Sequence, residues 1–185
     1  MTKQELRNYI KDLTSKYFSD PNFRTEQSFR ICEKISVLPE FQKAQAVLVF
    51  IPLADEVNTL PIVSELFLSG RRIAIPKVNP ESGSMDFYWI TPESKLNKGA
   101  FGILEPSDDD ILCNFSEVYG NVLVIVPGRA FTKDGKRLGR GKGFYDKFLS
   151  GTGKKFTKLG VCFPFQIVDD IPVDENDVLM DSVIF

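Results

Sequence analysis

Leu6, Ile10, Leu13 and Tyr17 recur at intervals of three or four residues, the period of an apolar stripe along a helix. Thr2 and Glu5, just ahead of the stripe, form a T-x-x-E capping box that marks the helix start. A second helical stretch is predicted over about Glu26 to Val37. The pattern then changes. Ala46 to Ile51 (AVLVFI) is a short continuous apolar run rich in β-branched residues, followed by a turn and a helix with Thr59 as N-cap, Pro61 in its first turn and Gly70 past its end. Arg71 to Val78 (RRIAIPKV) supplies another buried-type strand, and Met85 to Ile90 (MDFYWI) a further one before a long polar connection through KGAFGILEPSDDD. Asn121 to Pro127 (NVLVIVP) is the most convincing core strand, and Leu159 to Phe163 (LGVCF) follows a helix that begins near Phe144. Continuous apolar strands alternating with amphipathic helices predict an α/β fold, a three-layer α/β/α sandwich with a mostly parallel central sheet. Ligands on such sheets bind beyond the carboxyl ends of the strands, where the stretch after NVLVIVP lies.

Composition narrows the chemistry. At 185 residues and 43% hydrophobic, the chain fits one domain, residues 1–185, with a core that needs no disulfide staples. The opening MTKQELRNYIK mixes charge signs without an apolar h-region, and no run of about eighteen apolar residues follows. The expectation is a soluble cytoplasmic protein with no membrane partner. Cys32, Cys113 and Cys162 are odd in number and outside any CxxC spacing, so they read as reduced structural residues. The absence of histidine removes Ser-His and Cys-His nucleophiles, imidazole acid-base chemistry and His-ligated zinc. A net charge of -2 argues against a nucleic-acid footprint over the whole surface.

That charge is unevenly spread. Arg129 to Lys147 carries seven cations against two acids, a local +5 that leaves -7 for the rest. Within it, RLGRGKGFYD (Arg137 to Asp146) interleaves Gly139, Gly141 and Gly143 with Arg140 and Lys142. Such glycines can take positive φ and bring backbone N–H groups close to a ligand, while FYDKFLS, read as a helix, points more donors at the same place. The combination suits a polyphosphate. It is neither a Walker loop nor G-x-G-x-x-G, because Phe144 stands where the last glycine belongs. Judged on spacing, a solvated basic hairpin and an RNA-contacting loop stay open. Six acids lie between Asp169 and Asp181; they are either a solvated surface or, paired with Asp146, part of a Mg²⁺ site completed by phosphate and water.

The stretch VPGRAFTKDGKRLGRGKGFYD (Val126 to Asp146), with KQELR (from Lys3), DEVNT (from Asp55), FGILEP (from Phe101) and PVDENDVLMD (from Pro172), strongly resembles the 5-formyltetrahydrofolate cyclo-ligase family, also called methenyltetrahydrofolate synthetase. The resemblance implies ATP- and Mg²⁺-dependent conversion of 5-formyltetrahydrofolate to 5,10-methenyltetrahydrofolate, ADP and phosphate. By position it implies ATP contacts from Lys3 and Arg7 on one helical face and from Arg137, Leu138, Gly139, Arg140, Gly141, Lys142, Gly143, Phe144 and Tyr145. Folate contacts are implied for Ile51, Glu56, Arg140, Gly141, Lys142, Gly143 and Phe144, and Mg²⁺ ligation for Asp146 and Asp177. A carboxylate at Glu56 suits paired hydrogen bonds from a pterin amino group and ring N–H. Arg137, Arg140 and Lys142 take the catalytic role, stabilising charge on the transferring phosphoryl group. Phosphoryl transfer needs alignment and charge neutralisation more than a nucleophile, which a chain without histidine can supply.

Three positions depart from the family pattern: Asn58 where an acid is common, Thr132 in place of Asp, and Phe144 in place of Tyr. Tyr88 and Trp89 are assigned to strand packing ahead of stacking on the pteridine. The expected partners are the two small substrates, with no nucleic acid, and the chain is expected to be a monomer. A non-catalytic polyanion- or RNA-binding protein is the competing class, and a sugar-phosphate isomerase on a similar architecture a third.

Overall fold

In the computed structural model, which describes residues 1–99, 102–107, 109–153 and 156–185, the first helix, α1 (Lys3–Tyr17), starts at its capping box: Thr2 Oγ1 accepts from the Glu5 N–H at 3.2 Å and the Glu5 carboxylate from the Thr2 N–H at 2.7 Å. Then come α2 (Phe23–Ser36), α3 (Pro39–Lys43), β1 (Ala46–Leu48) and α4 (Leu60–Leu68). The chain continues through β2 (Arg72–Asn79), β3 (Ser84–Ile90), β4 (Leu96–Lys98), β5 (Leu104–Pro106) and β6 (Ile111–Leu112). It closes with β7 (Val122–Pro127), β8 (Ala130–Phe131), β9 (Arg137–Leu138), α5 (Phe144–Ser150), β10 (Phe156–Val161) and β11 (Ser182–Ile184). Phe101, the first residue of the FGILEP motif, lies outside the described residues.

Seven strands form the central sheet in the order β11-β10-β7-β1-β2-β3-β6. The ladders from β11 to β2 are parallel, and β3 and β6 join antiparallel at one edge. Both faces are covered, which is why the central strands are apolar without interruption. On one face Val47, Leu123, Ile125, Ile73 and Ile75 pack with Ile31 and Ile35 of α2 and Ile62 and Leu66 of α4. On the other, Ala46, Leu48, Val122 and Val124 pack with Leu149 of α5 and with Phe115, Phe148 and Phe156. The expected three-layer α/β/α sandwich is therefore the observed one. Helix α1 belongs to neither layer. Its buried Leu6 and Ile10 pack against Ala130 and Leu138 of the β8–β9 hairpin and against Ile171. Burying such side chains stabilises by about 1.5–3 kcal/mol each, so α1 is fastened to the hairpin that leads into the glycine-rich loop.

Several local expectations need correction. Helix α2 begins at Phe23, not near Glu26, because the Phe23 ring has partners in Phe18, Phe163 and Phe165 that a local pattern does not reveal. The run from Ala46 ends as a strand at Leu48, with the Val49 N–H still donating to the Ala74 carbonyl of β2 at 3.0 Å, and Phe50 and Ile51 stay buried beyond the ladder. Thr59 occupies the N-cap position of α4 but its hydroxyl donates to the Phe50 carbonyl at 2.7 Å; the side-chain acceptor near that helix start is Asn58 Oδ1, 3.3 Å from the Leu60 N–H. The LGVCF strand begins earlier, at Phe156, and ends at Val161.

Candidate active site

The carboxyl ends of β1, β2 and β7 open onto a cavity of about 590 Å³. Its walls have different chemistry. One is built by α1, the β1–α4 connection, the loop from Arg137 to Asp146 and the segment carrying Asp174 and Asp177; the other comes from Pro76, Val78, Met85, Ile103 and Glu105. Every candidate residue named from the sequence borders this space: Lys3, Arg7, Ile51, Glu56, the whole run from Arg137 to Tyr145, Asp146 and Asp177.

Cations dominate the first wall, and most are already matched. Arg137 on β9 is 4% exposed at its side chain; it donates to Asp146 at 2.6 Å and to the Pro127 carbonyl at 3.3 Å. Its Nε is buried without a partner among the described residues, as is the Tyr145 hydroxyl. Burial pushes the Tyr145 phenol far up, so it remains an O–H donor. Arg140 donates from Nε and Nη2 to one Glu56 oxygen at 3.1 and 2.9 Å and also reaches Asp55, which Arg129 pairs from its other side. Burial would raise the Asp55 carboxyl, but Arg140 and Arg129 hold it below the ordinary range. Lys3 spans Asp174 and Asp177 at 2.6 Å each. Desolvation is the largest single influence and opposes the charge on both Lys3 and Asp177. It is outweighed only by the sum of the others: hydrogen bonds and attraction from Asp174 and Asp177 on Lys3, and from Lys3, the Asp174 N–H and Arg137 on Asp177, leaving the ammonium raised and the carboxyl lowered. Lys142 lines the cavity with no hydrogen bond or ion pair among the described residues.

Two glycines of the loop use their freedom. Gly141 and Gly143 sit at φ 97° and 71°, values that favour glycine. Gly139 does not adopt positive φ, contrary to the sequence expectation; a Cβ there would come within 3.0 Å of Arg137 Nη1, and its carbonyl accepts from Arg7 Nε at 3.0 Å. Arg7 thereby ties α1 to the loop.

Asp146 and Asp177 are the candidates to hold a metal, and each now faces a cation. No group of three His, Cys, Asp or Glu side chains poised for a metal occurs among the described residues, so a cation here would draw part of its coordination from a ligand. Tyr88 and Trp89 do not border the cavity: Trp89 lies under the Arg72 guanidinium at 4.0 Å and Tyr88 is 5.7 Å from the Lys77 ammonium. Thr132 does its work locally, accepting from the Lys136 N–H at 2.9 Å. The cysteines are free and away from the cavity, with burial raising Cys32 to about 11, Cys113 to about 12 and Cys162 further.

With this geometry in place, comparison with known proteins is informative. A family model described as the 5-formyltetrahydrofolate cyclo-ligase family matches residues 1–185. The chain belongs to that family. Among cyclo-ligases, it is 32% identical over 170 residues to the 5-formyltetrahydrofolate cyclo-ligase of Mus musculus, covering 88% of this chain and 83% of that one. It is 30% identical over 168 residues to that of Escherichia coli K12, covering 89% and 90%. The NMR structure of the Aquifex aeolicus 5,10-methenyltetrahydrofolate synthetase superposes with a TM-score of 0.81 at 32% identity, over 100% of this chain and 89% of that one.

Beside the residues expected for a cyclo-ligase, the cavity brings in Asp174 and Glu105, and Asp55 acts on it through Arg140. Asp55 and Glu105 lie inside the DEVNT and FGILEP motifs and Asp174 inside the acidic stretch. The motifs marked the neighbourhood; which carboxylate turns inward is decided by tertiary packing.

Proposed function

We propose that this chain converts 5-formyltetrahydrofolate to 5,10-methenyltetrahydrofolate with ATP and Mg²⁺, releasing ADP and phosphate. The observation that supports this reading is the single cavity in which a cation- and glycine-rich loop faces an apolar wall, so that a triphosphate and a flat ring system fit side by side. The N-formyl oxygen leaves carbon poorly. The γ-phosphoryl group of ATP passes to it as ADP departs. The N10 electron pair then adds to the formyl carbon, the C–O bond breaks with phosphate as leaving group, and the N10 proton goes to solvent. Arg137, Arg140 and Lys142, with backbone N–H groups of the loop, stabilise the charge that develops on the transferring group. Lys3 and Arg7 hold the nucleotide from α1. Ile51 and Glu56 border the folate, and Gly141, Gly143 and Phe144 let both reactants approach the same loop.

Asp146 and Asp177 would hold Mg²⁺, and hard carboxylate oxygens are the right donors. The fit is one of charge exchange: Arg137 and Lys3, released from these carboxylates, become free to meet phosphate. Mg²⁺ when bound neutralises phosphate charge. The inward pairing of Lys3, Arg137 and Arg140 favours a small-molecule site over an open RNA-binding face. We read residues 1–185 as one domain, since residues from Lys3 to Asp177 line the same cavity, and as a cytoplasmic monomer whose free thiols suit a reducing compartment. No described helix is long and apolar enough to cross a membrane.

The deciding experiment mixes the protein with 5-formyltetrahydrofolate, ATP and Mg²⁺ and follows the ultraviolet absorbance of the methenyl product. Product is expected with all components and none without ATP; absence of product in the complete mixture overturns the assignment.

A further inference from the structure

Glu105 lines the cavity, and neither the resemblance nor the mechanism gives it a role. Glu56, Asp146, Asp174 and Asp177 each face a lysine or arginine at 2.9 Å or less. Glu105, on β5, is 5% exposed, and its only hydrogen bond among the described residues comes from the Val78 N–H at 3.3 Å. It has no ion pair among them. The side chain is held in place by shape: a Cβ on Gly99 would fall 1.9 Å from Glu105 Oε2, so the carboxylate occupies room that only glycine leaves. Its neighbours along the cavity are Pro76, Val78, Met85 and Ile103.

A buried carboxylate with spare acceptor capacity on an apolar wall calls for N–H donors, because its desolvation is otherwise uncompensated. A triphosphate would be repelled by it. Glu56 has less capacity left, since its oxygens already accept from Arg140 and from the Leu53 N–H at 2.9 Å. We propose that Glu105 is a substrate-recognition residue that accepts hydrogen bonds from the 2-amino group and an adjacent ring N–H of the reduced pterin. This rests on the folate reading given above and adds to it a specificity determinant.

The test uses the full chain with Glu105→Gln, which keeps size and one acceptor but removes the charge. Binding of 5-formyltetrahydrofolate is measured by calorimetry, and KM is measured separately for folate and ATP. Losing a charge-assisted pair should weaken folate binding roughly tenfold or more, with the ATP KM and the thermal midpoint little changed. A purely structural role would not do this selectively. The sharper readout is 5-formyl-2-desaminotetrahydrofolate: wild type should bind it at least tenfold more weakly than the parent compound, while Glu105→Gln should scarcely distinguish the two. Equal folate binding by wild type and variant, or undiminished discrimination in the variant, overturns the proposal. If wild type makes the methenyl product and either of these results is found, only this proposal falls. If it binds folate through Glu105 yet makes no product, only the reaction falls.

Discussion

The cavity's two walls are stabilised in opposite ways. The wall from α1, the β1–α4 connection and the Arg137 to Asp146 loop is a set of charges that largely cancel: Lys3 with Asp174 and Asp177, Arg137 with Asp146, Arg140 with Asp55 and Glu56. The wall from β2, β3 and β5 is apolar side chains and one carboxylate, standing on or beside the central sheet. The first wall must exchange partners when a charged ligand arrives, whereas the second is ready beforehand. Nucleotide and metal are therefore expected to bind by substitution and the ring system by fit.

Arg140→Ala should break this contrast most strongly. Removing a donor to a developing phosphoryl charge should lower kcat by about 100-fold or more. The partly buried ion pairs it makes with Asp55 and Glu56 are worth about 1 kcal/mol each to stability, so the melting curve should move by only a few degrees while kcat collapses. Unchanged kcat would remove Arg140 from the catalytic role. A milder perturbation is Ile10→Val, which trims the fully buried anchor of α1. It should cost about 0.5–1.5 kcal/mol and lower Tm by about 1–6 °C. It should also raise the ATP KM more than the folate KM, because Lys3 and Arg7 sit on α1 itself whereas folate meets α1 only through the shared loop; equal changes in both would refute that division.

The smallest expected effect is on acid stability. Asp55 and Asp177 have carboxyls held below their ordinary value by cation partners. A depressed native pKa contributes stability that is present above the unfolded value of about 3.9 and is lost as pH falls through the folded one. Denaturant midpoints should therefore decline on acidification below about pH 4, and Asp177→Asn should flatten that decline. A variant with the same acid slope as wild type would show that the Lys3 pairing adds nothing.

Much of the central sheet was legible because β1 and β7 are buried on both faces and so are apolar residue after residue, as is the middle of β2 from Ile73 to Pro76. The capping box at Thr2 and Glu5 was equally plain, since its chemistry lies within four residues. Pairs such as β8–β9 and β4–β5 were not, because strands of two or three residues carry no period. Thr59 shows a local rule losing to tertiary demand: its hydroxyl satisfies a buried carbonyl in place of the helix end. The loop stood out by charge and glycine content, and the whole candidate set does line one cavity. The tethers on Arg140 and the inward turn of Glu105 depend on segments far apart in the chain, which spacing does not encode.

The docking of α1 carries a further consequence for the newborn polypeptide. Helix α1 leaves the ribosome well before its seat, Ala130, Leu138 and Ile171, has been made. Most of the central strands can pair while that amphipathic segment still waits with its greasy side uncovered. Translation must pass Ile171 before Lys3 and Arg7 can take up their posts, so two segments far apart in the chain jointly determine when a binding-competent molecule first exists.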